Sequence, residues 1–444
     1  MIVSPLDYRY GREEARRIFT EEGRLQYMLT VESKIAEAES EIGLIPREDA
    51  EEIGKKSTTE FVKPERVKEI EKEIGHDVMA MVKALSEVSG ESGRYVHLGA
   101  TSNDINDTAT ALQLKDFYEI LENDLFRLGE ALAALATKYK ETVMIGRTHG
   151  QHALPITFGL KNAVYLSEIM RHIDRLNDSR KRVLVGKFMG AVGTGAALGE
   201  NSIKVQELVM NRLGIGSEEG PTQLVGRDRY IEYVSVLSSI ATTLEKFATE
   251  IRNLQRPEID EVQEPFDEEK QVGSSTMAQK MNPVVSENIA SLARVIRGFI
   301  TPMHESAILW HERDLTNSAS ERFIIPYTSI LLDDILNKMA WVFENLKVRP
   351  EKMLQNLMSD DLILGEAYIM NLVGAGYSRQ DAHEIVRKGS MEARRSGMKL
   401  KSVIEKSIGK PLEVLDPKSY IGNSVKITED AVRSFKKRKR FKQS

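Results

Sequence analysis

The 444-residue sequence predicts an all-α fold of three helical domains, in which the middle domain is a bundle of long helices. Along five segments, apolar residues recur at alternating spacings of three and four, which is typical of a helix with a narrow apolar stripe. Strand-like alternation is scarce, and the stretch from Val183 to Leu198 is the best non-helical candidate. Such stripes are best buried when the helices pack side by side.

The longest apolar seam has nine members and no break. At ~1.5 Å per residue, the helix that carries it would be about 45 Å long. Four shorter seams lie in the segments 166–176, 234–251, 285–303 and 332–346. Several of these helices are too long to be covered within one compact domain. We therefore expect other copies of the chain to cover the rest, and a monomeric bundle is the alternative. The nine members are Ala111, Leu114, Tyr118, Leu121, Leu125, Leu128, Leu132, Leu135 and Tyr139.

Glycine and proline positions divide the chain around this bundle. Residues 1–107 contain shorter helical stretches that these residues interrupt, and they predict an N-terminal helical domain. The bundle domain is predicted to occupy 108–350 and to contain a loop at 271–284. Shorter amphipathic helices in 351–444 predict a C-terminal helical domain.

The composition excludes several classes of function. The net charge is −5 and the isoelectric point is about 6.0, so no overall positive field attracts nucleic acid or a membrane. The absence of cysteine excludes disulfides, thiolate zinc sites and cysteine nucleophiles. The N-terminus has no signal-peptide pattern and no apolar run approaches ~20 residues, so we expect a cytoplasmic protein. The basic tail 436–444 is either an RNA-binding segment or a solvated helix end, and the second interpretation is favoured.

The segment GSSTMAQKMNP at 273–283 is the strongest candidate for chemistry. It is small, polar and flexible, and Asn282 can cap a helix that begins at the proline. The free N–H groups of a helix N-terminus and the charge of Lys280 can together hold an anion or stabilise a serine alkoxide. A plain linker with a helix cap is the alternative. Chemistry alone does not choose between Ser274 and Ser275 as the reactive serine.

The segment RTHGQH at 147–152 is the second candidate. A histidine of near-neutral pKa is the usual proton-transfer group, and the arginine and threonine before His149 can orient an anion beside it. His149 and His152 are three residues apart, but no HExxH pattern or carboxylate pair accompanies them. We therefore predict no metal site.

Two shorter segments carry binding-type side chains. His76 adjoins Asp77, which can orient the ring or bind hydroxyls, although a structural hydrogen bond is the simpler interpretation. Thr101 and Ser102 open the longest helix, where hydroxyl and N–H groups can cradle a carboxylate. Simple capping of the helix is the alternative there, and both interpretations can hold together.

Two further segments invite a phosphate-binding interpretation. The stretch RDLTNSASER at 313–322 has an arginine at each end and hydroxyls between them, which suits a phosphate. A solvated loop with surface arginines is the commoner explanation for such a string. The glycine-rich run 186–195 lacks the nucleotide-loop motifs, so it is interpreted as a tight turn where backbones approach closely.

Three of these segments resemble the shared regions of the fumarase/aspartase superfamily. GSSTMAQKMNP resembles its signature, usually GSSxMPxKxNP, with Ala278 where the family usually has proline. HLGATSND at 97–104 and GRTHGQHALPITFG at 146–159 resemble the other two regions, in the expected order. The resemblance implies an all-α homotetramer with a central helical core. It also implies active sites built from three subunits, and it calls for no cofactor and no metal.

Further segments resemble the branch of that superfamily that acts on succinylated purine nucleotides. These segments are PLDYRYG at 5–11, GHDVMA at 75–80, PTQ at 221–223 and WHERDLTNSASER at 310–322. The implied activity is β-elimination of fumarate from two such nucleotides in purine biosynthesis. The implied partners are a small-molecule nucleotide and further copies of the chain, with no nucleic acid and no membrane.

The resemblance also implies residue roles. Ser274 is the expected base and His149 the expected acid, and His76 and Lys280 complete the catalytic set. A serine is far too weak a base at neutral pH unless the loop closes, excludes water and stabilises the alkoxide. Of the binding residues, Thr101, Ser102 and Asn282 are expected at carboxylates, together with Lys280. The expected substrate-binding residues are Arg9, Tyr10, Gly75, Asp77, Thr101, Ser102, Gln223, Ser275, Asn282, Asn288, Arg313, Ser318 and Arg322.

Three alternatives remain at the level of sequence. The nearest is another fumarate-releasing lyase, such as argininosuccinate lyase, or a related cycloisomerase. A second is a non-catalytic structural protein that keeps the fold, as lens crystallins do in this superfamily. The third is an RNA-binding role through the basic tail.

Overall fold

The structure is a computed structural model that describes residues 3–266, 276–277 and 279–443. The described residues are predominantly helical, which confirms the predicted all-α class. The helices are α1 Glu13–Phe19, α2 Glu21–Glu41, α3 Arg47–Lys56, α4 Pro64–Ile74, α5 Asp77–Val88, α6 Ser102–Lys138, α7 Phe158–Val183, α8 Ser202–Leu213, α9 Asp228–Leu254, α10 Val284–Gly298, α11 Ile300–Glu305, α12 Ser318–Glu344, α13 Pro350–Met358, α14 Gly365–Gly374, α15 Arg379–Ser396, α16 Leu400–Ile408 and α17 Ser424–Gln443. The strands are β1 Val143–Thr148, β2 Gln151–Thr157, β3 Val185–Gly186, β4 Gly216–Ser217, β5 Val262–Gln263 and β6 Lys347–Val348.

Eight of the nine residues of the longest predicted seam lie in α6, which has 37 residues, and Tyr139 directly follows the helix. Leu114, Leu121 and Leu128 of this seam are completely buried. At ~1.5 Å per residue the helix is about 55 Å long, because it begins well before the first seam residue. The seams predicted for 166–176, 234–251 and 332–346 lie within or along α7, α9 and α12.

The predicted seam at 285–303 is not one helix. It is divided between α10 and α11, with Phe299 between them. Pro302 has no backbone N–H and therefore cannot bond to the carbonyl of Gly298, four residues earlier. The helical hydrogen-bond ladder stops at that point, although the apolar spacing continues across it.

A β-hairpin that the sequence did not reveal carries the second candidate segment. Strand β1 pairs antiparallel with β2, and Thr148 lies opposite Gln151. The two residues between them, His149 and Gly150, have φ of +53° and +72°. Two positive φ values in a two-residue loop are the geometry of a type I′ turn, whose twist matches that of paired strands. His149 is exposed at the tip of this hairpin.

The remaining strands are two residues long. β3 pairs parallel with β4, and β5 pairs antiparallel with β6. After β3, the glycine-rich run passes close to another backbone. A Cβ atom placed on Gly193 would lie 2.1 Å from the carbonyl oxygen of Pro221, and Gly193 has a φ of +82°. This confirms the predicted close backbone approach.

The chain divides into two compact units, each made of three stretches. The first unit comprises Met1–Leu125, His172–Glu245 and Asn288–Lys338. Its core includes apolar residues of α2, α5, the start of α6 and α8. Within the described residues, no helix is both long enough and apolar enough to cross a bilayer.

The second unit comprises Phe126–Arg171, Lys246–Glu287 and Met339–Ser444. One of its apolar cores joins Ile145 of β1 to residues of α13 to α16. The sequence predicts three domains that are each continuous along the chain, at 1–107, 108–350 and 351–444, whereas these two units are each made of separate stretches. The three domains therefore stay a prediction.

Candidate active site

A cavity of about 1070 Å³ lies in the first unit and gathers seven of the predicted site residues. Its wall includes residues of α2, the N-terminal ends of α5 and α6, and the segment that leads into α12. This volume is of the size that small-molecule sites have in proteins. The predicted residues in its lining are Gly75, His76, Asp77, Ser102, Arg313, Ser318 and Arg322.

His76 is held at the N-terminus of α5, where it is the capping residue. Its Nδ1 accepts a hydrogen bond from the backbone N–H of Met79 at 3.3 Å, and its Nε2 lies 3.4 Å from Ser102 Oγ. Nδ1 of His76 is 3.7 Å from Asp77, beyond hydrogen-bond distance. Asp77 instead accepts a hydrogen bond from Nη2 of Arg322 at 3.2 Å. The His–Asp pair thus contacts two other predicted segments.

Asp104 organises the segment that carries Thr101 and Ser102. One of its oxygens accepts from the backbone N–H of Thr101 at 2.8 Å and of Gly190 at 3.0 Å. The other accepts from Met189 N–H at 3.1 Å and pairs with the ammonium of Lys187. Both charged side chains are completely buried. Asp104 therefore fixes the start of α6 against the glycine-rich run.

Gln223 joins that run to the segment 313–322. Its Nε2 donates to the carbonyl of Ala191 at 2.9 Å, and its Oε1 accepts from Nη1 of Arg313 at 2.6 Å. Nε of Arg313 is buried and has no hydrogen-bond partner in the part of the chain that the structure describes. Two predicted substrate-binding residues thus contact one another, and one of them retains an unused donor.

Arg9, Tyr10 and Asn288 do not line the cavity; Tyr10 and Asn288 meet at another place in the first unit. Lys338 donates to Oδ1 of Asn288 at 2.7 Å and lies over the ring of Tyr10, 5.2 Å from its centroid. Lys338 follows Arg322 by sixteen residues in α12, which is about 24 Å of helix. Within one copy of the chain, Tyr10 and Asn288 therefore lie against a part of α12 that is distant from Arg322.

His149 belongs to the second unit, where its hairpin is anchored by a buried ion pair. Arg147 donates two hydrogen bonds to Glu261, at 3.0 and 2.7 Å. Glu261 is completely buried and also accepts from Asn356 Nδ2 at 2.9 Å. The guanidinium of Arg147 is paired with Glu261, so the expectation that it orients an anion beside His149 gains no support from this geometry and stays a prediction.

Lys280 and Asn282 lie just before α10, also in the second unit. The helix begins at Val284, one residue later than predicted. Its N-terminus is not free, because Glu264 accepts from the backbone N–H of Val285 at 2.9 Å and of Ser286 at 2.7 Å. Lys280 is exposed. The predicted reactive serines, Ser274 and Ser275, lie outside the described residues.

The described part of the chain offers no set of ligands for the alternative of a metal site at His149 and His152. Nδ1 of His152 lies 3.1 Å from a carboxylate oxygen of Asp360. Across residues 3–266, 276–277 and 279–443, no group of three histidine or carboxylate side chains is placed to hold a metal ion.

Sequence reasoning missed the residues that support the site. Asp104, Glu261 and Glu264 each hold a predicted segment through buried hydrogen bonds. A carboxylate in a helical or polar stretch is usually solvated, so composition gave no signal for them. Arg24, which lines the cavity from α2, was also missed, because a single arginine in a helix is usually solvated as well.

Comparison with known proteins gives full-length matches. A family model described as lyase matches residues 8–298, and one described as adenylosuccinate lyase C-terminus matches residues 361–431. The adenylosuccinate lyase of Pyrococcus abyssi is 49% identical over 440 residues, which cover 97% of this chain and 98% of that protein. The adenylosuccinate lyase of Methanothermobacter thermautotrophicus is 47% identical over 439 residues, with the same coverage.

Solved structures share the fold at lower identity. A fumarate lyase from Mesorhizobium sp. BNC1 superposes with a TM-score of 0.86 at 32% identity, over 95% of this chain and 98% of that one. A 3-carboxy-cis,cis-muconate lactonizing enzyme from Pseudomonas putida gives 0.87 at 31% identity, over 98% and 99%. The full-length identity to adenylosuccinate lyases is higher than to these two structures. The chain therefore belongs to the adenylosuccinate lyase family.

Proposed function

We propose that this chain cleaves adenylosuccinate to AMP and fumarate, and that it also releases fumarate from succinyl-aminoimidazole-carboxamide ribotide. The observation that carries the proposal is the 49% identity to an adenylosuccinate lyase across 97% of the chain. The cavity in the first unit supports it, because arginines and hydroxyls of Arg313, Ser318 and Arg322 line one wall. Such groups suit a nucleotide phosphate.

The proposed reaction is a β-elimination. Ser274, as an alkoxide, takes the proton from the carbon beside a carboxylate of the succinyl group. The electron pair forms the new carbon–carbon double bond as the carbon–nitrogen bond breaks, and His149 gives a proton to the leaving nitrogen. The difficult step places two negative charges on one carboxylate, so cations and N–H donors must face it. Lys280, Asn282, Thr101 and Ser102 are the proposed donors.

The described geometry supports parts of this mechanism. The type I′ turn and the Arg147–Glu261 pair give His149 an exposed and rigidly anchored position. Nε2 of His76 is turned towards Ser102, where a carboxylate is proposed to bind. Because Glu264 already caps α10, Lys280 becomes the main proposed source of positive charge for the serine loop.

The test is fumarate release from adenylosuccinate and from argininosuccinate by the purified protein. We expect turnover of the first substrate only, since the cavity offers phosphate-type ligands. Ser274→Ala should lower kcat by several orders of magnitude, and the matched Ser275→Ala should lower it far less. Normal turnover by Ser274→Ala would remove Ser274 as the base, and cleavage of argininosuccinate alone would overturn the substrate.

We also propose that the enzyme is a cytoplasmic homotetramer with shared sites. Tyr10, which we also propose at the phosphate, lies against Lys338 in one copy, and Lys338 is about 24 Å from Arg322 along α12. A shared site would take Tyr10 and Arg322 from different copies. A Tyr10→Ala and an Arg322→Ala variant, each inactive alone, should then recover at most about one quarter of wild-type activity when subunits are mixed equally. No recovery in tetramers proven to be mixed would refute shared sites.

A further inference from the structure

Arg24 lines the cavity from α2, and its one side-chain hydrogen bond in the described residues is to an uncharged group. It is half-buried, and its Nη2 donates to the neutral Oδ1 of Asn106 at 2.9 Å. Among the described residues, no carboxylate oxygen lies within ion-pair distance of its guanidinium. The carboxylates of Asp77, Asp107 and Glu321 act on Arg24 only from beyond ion-pair distance, so they balance its positive charge only in part.

The carboxylates around the same cavity are unavailable to Arg24. Each of them is either exposed or paired with a different cation. The pairs are Asp77 with Arg322 at 3.2 Å, Asp107 with Arg227 at 2.8 Å, Glu321 with Arg227 at 2.8 Å and Glu21 with Lys68 at 2.5 Å, while Glu71 is exposed. Arg227 forms ion pairs with two carboxylates, whereas Arg24 forms none among the described residues. The charge of Arg24 is therefore the less neutralised of the two.

The electrostatic surroundings of Arg24 agree with this geometry. Burial lowers the pKa of Arg24, and the positive charge of Arg322 lowers it further. The surrounding carboxylates raise it, but not enough to cancel these two effects. The two guanidinium groups therefore act on one another across the cavity, although Asp77 already balances much of the charge of Arg322. An anion bound between them would relieve both the repulsion and the cost of burial.

We propose that Arg24 is a further phosphate-binding residue of this cavity, which meets a second negative charge of a nucleotide 5′-phosphate held by Arg322. The inference rests on the proposed function, because it takes the segment of Ser318 and Arg322 to be the phosphate site. A 5′-phosphate carries nearly two negative charges at neutral pH, and Asp77 leaves Arg322 with little surplus charge for them. Arg24 adds a cation to those of Arg313 and Arg322 from a different element of the fold.

The experiment measures binding of AMP and of fumarate by isothermal titration to the full-length protein and to Arg24→Gln. Loss of one charge-assisted hydrogen bond to phosphate should weaken AMP binding by about 10- to 100-fold. Fumarate binding should stay within about twofold, since its carboxylates are proposed to bind elsewhere. The matched control is Arg47→Gln, which removes an exposed arginine of α3 outside the cavity.

Two further variants separate ligand binding from a structural role. Arg24→Lys keeps the charge and should recover part of the AMP affinity. Asn106→Asp keeps Arg24 but gives it a carboxylate at hydrogen-bond distance, so it should weaken AMP binding while leaving the thermal midpoint equal or higher. Because Asn106 also lines the cavity, its substitution is made in the wild-type and in the Arg24→Gln background. If Arg24 only braced α2 against α6, Asn106→Asp would weaken AMP binding by the same factor in both backgrounds, and that result would overturn the proposal.

The outcomes distinguish this inference from the proposed function. If the wild-type protein cleaves adenylosuccinate but Arg24→Gln binds AMP normally, the role of Arg24 is refuted and the function stands. If Arg24→Gln loses fumarate affinity and keeps AMP affinity, Arg24 is not a phosphate ligand. If the wild-type protein neither binds AMP nor cleaves adenylosuccinate, both proposals fall.

Discussion

Asp104→Asn is the substitution that tests most sharply how the cavity is held in shape. Asp104 and Lys187 are both completely buried, and the carboxylate accepts from three backbone N–H groups as well as from the ammonium. An asparagine places an NH₂ group where one oxygen accepts two of these bonds, and it leaves Lys187 without a counter-charge. Breaking one side of a buried ion pair costs about 3–5 kcal/mol.

The assay is urea unfolding at one fixed protein concentration, combined with a double-mutant cycle. Lys187→Met should cost less than Asp104→Asn, because the three backbone donors continue to satisfy Asp104. The double variant should be more stable than the two single costs predict, by about 1–3 kcal/mol. At the same time KM should rise in Asp104→Asn, since Thr101 loses its anchor. Additive costs, or a loss below about 1 kcal/mol in Asp104→Asn, would show that the pair does not brace the site.

Three other substitutions test separate parts of the fold. Burial raises the pKa of Glu39 to about 8, so the free energy of unfolding falls as the pH rises from about 4.5 to 8. Glu39→Gln should therefore raise the free energy of unfolding at pH 7 by on the order of 3 kcal/mol and remove this pH dependence. Unfolding measured at pH 5 and at pH 8 checks both expectations. Gly193→Ala should lower the thermal midpoint far more than Gly43→Ala, since both glycines have φ near +80° but only Gly193 lies against a backbone carbonyl; equal shifts would contradict the close approach. Arg147→Met should strip Glu261 of its cation and cost about 3–5 kcal/mol by urea unfolding, and a neutral effect would show that this pair does not anchor the hairpin.

The parts of the fold that follow a repeating pattern could be predicted from the sequence. The seam along α6 was predictable because one narrow apolar stripe is buried over most of its length. The hairpin of β1 and β2 was not, because its turn has His149 where asparagine or aspartate is the usual signal. The break at Gly298 was also missed, since apolar spacing says nothing about a missing N–H in Pro302.

The site shows the same division between local and distant information. The segments around His76, Ser102 and Arg322 could be predicted because their residue types already suggest binding chemistry, and the cavity brings them together. The supporting carboxylates could not, because Asp104 acts on a loop more than eighty residues away in sequence. The place of Tyr10 relative to Arg322 could not be predicted from the sequence either, since it depends on where the N-terminal segment contacts α12.

A crystal structure of the enzyme with AMP and fumarate tests the central claim most directly, namely that this cavity is where the nucleotide binds. The phosphate should lie within hydrogen-bond distance of Ser318 and Arg322, and fumarate should contact the segment of Thr101 and Ser102. Clear density for AMP at another place, with the cavity empty in every subunit, would contradict it.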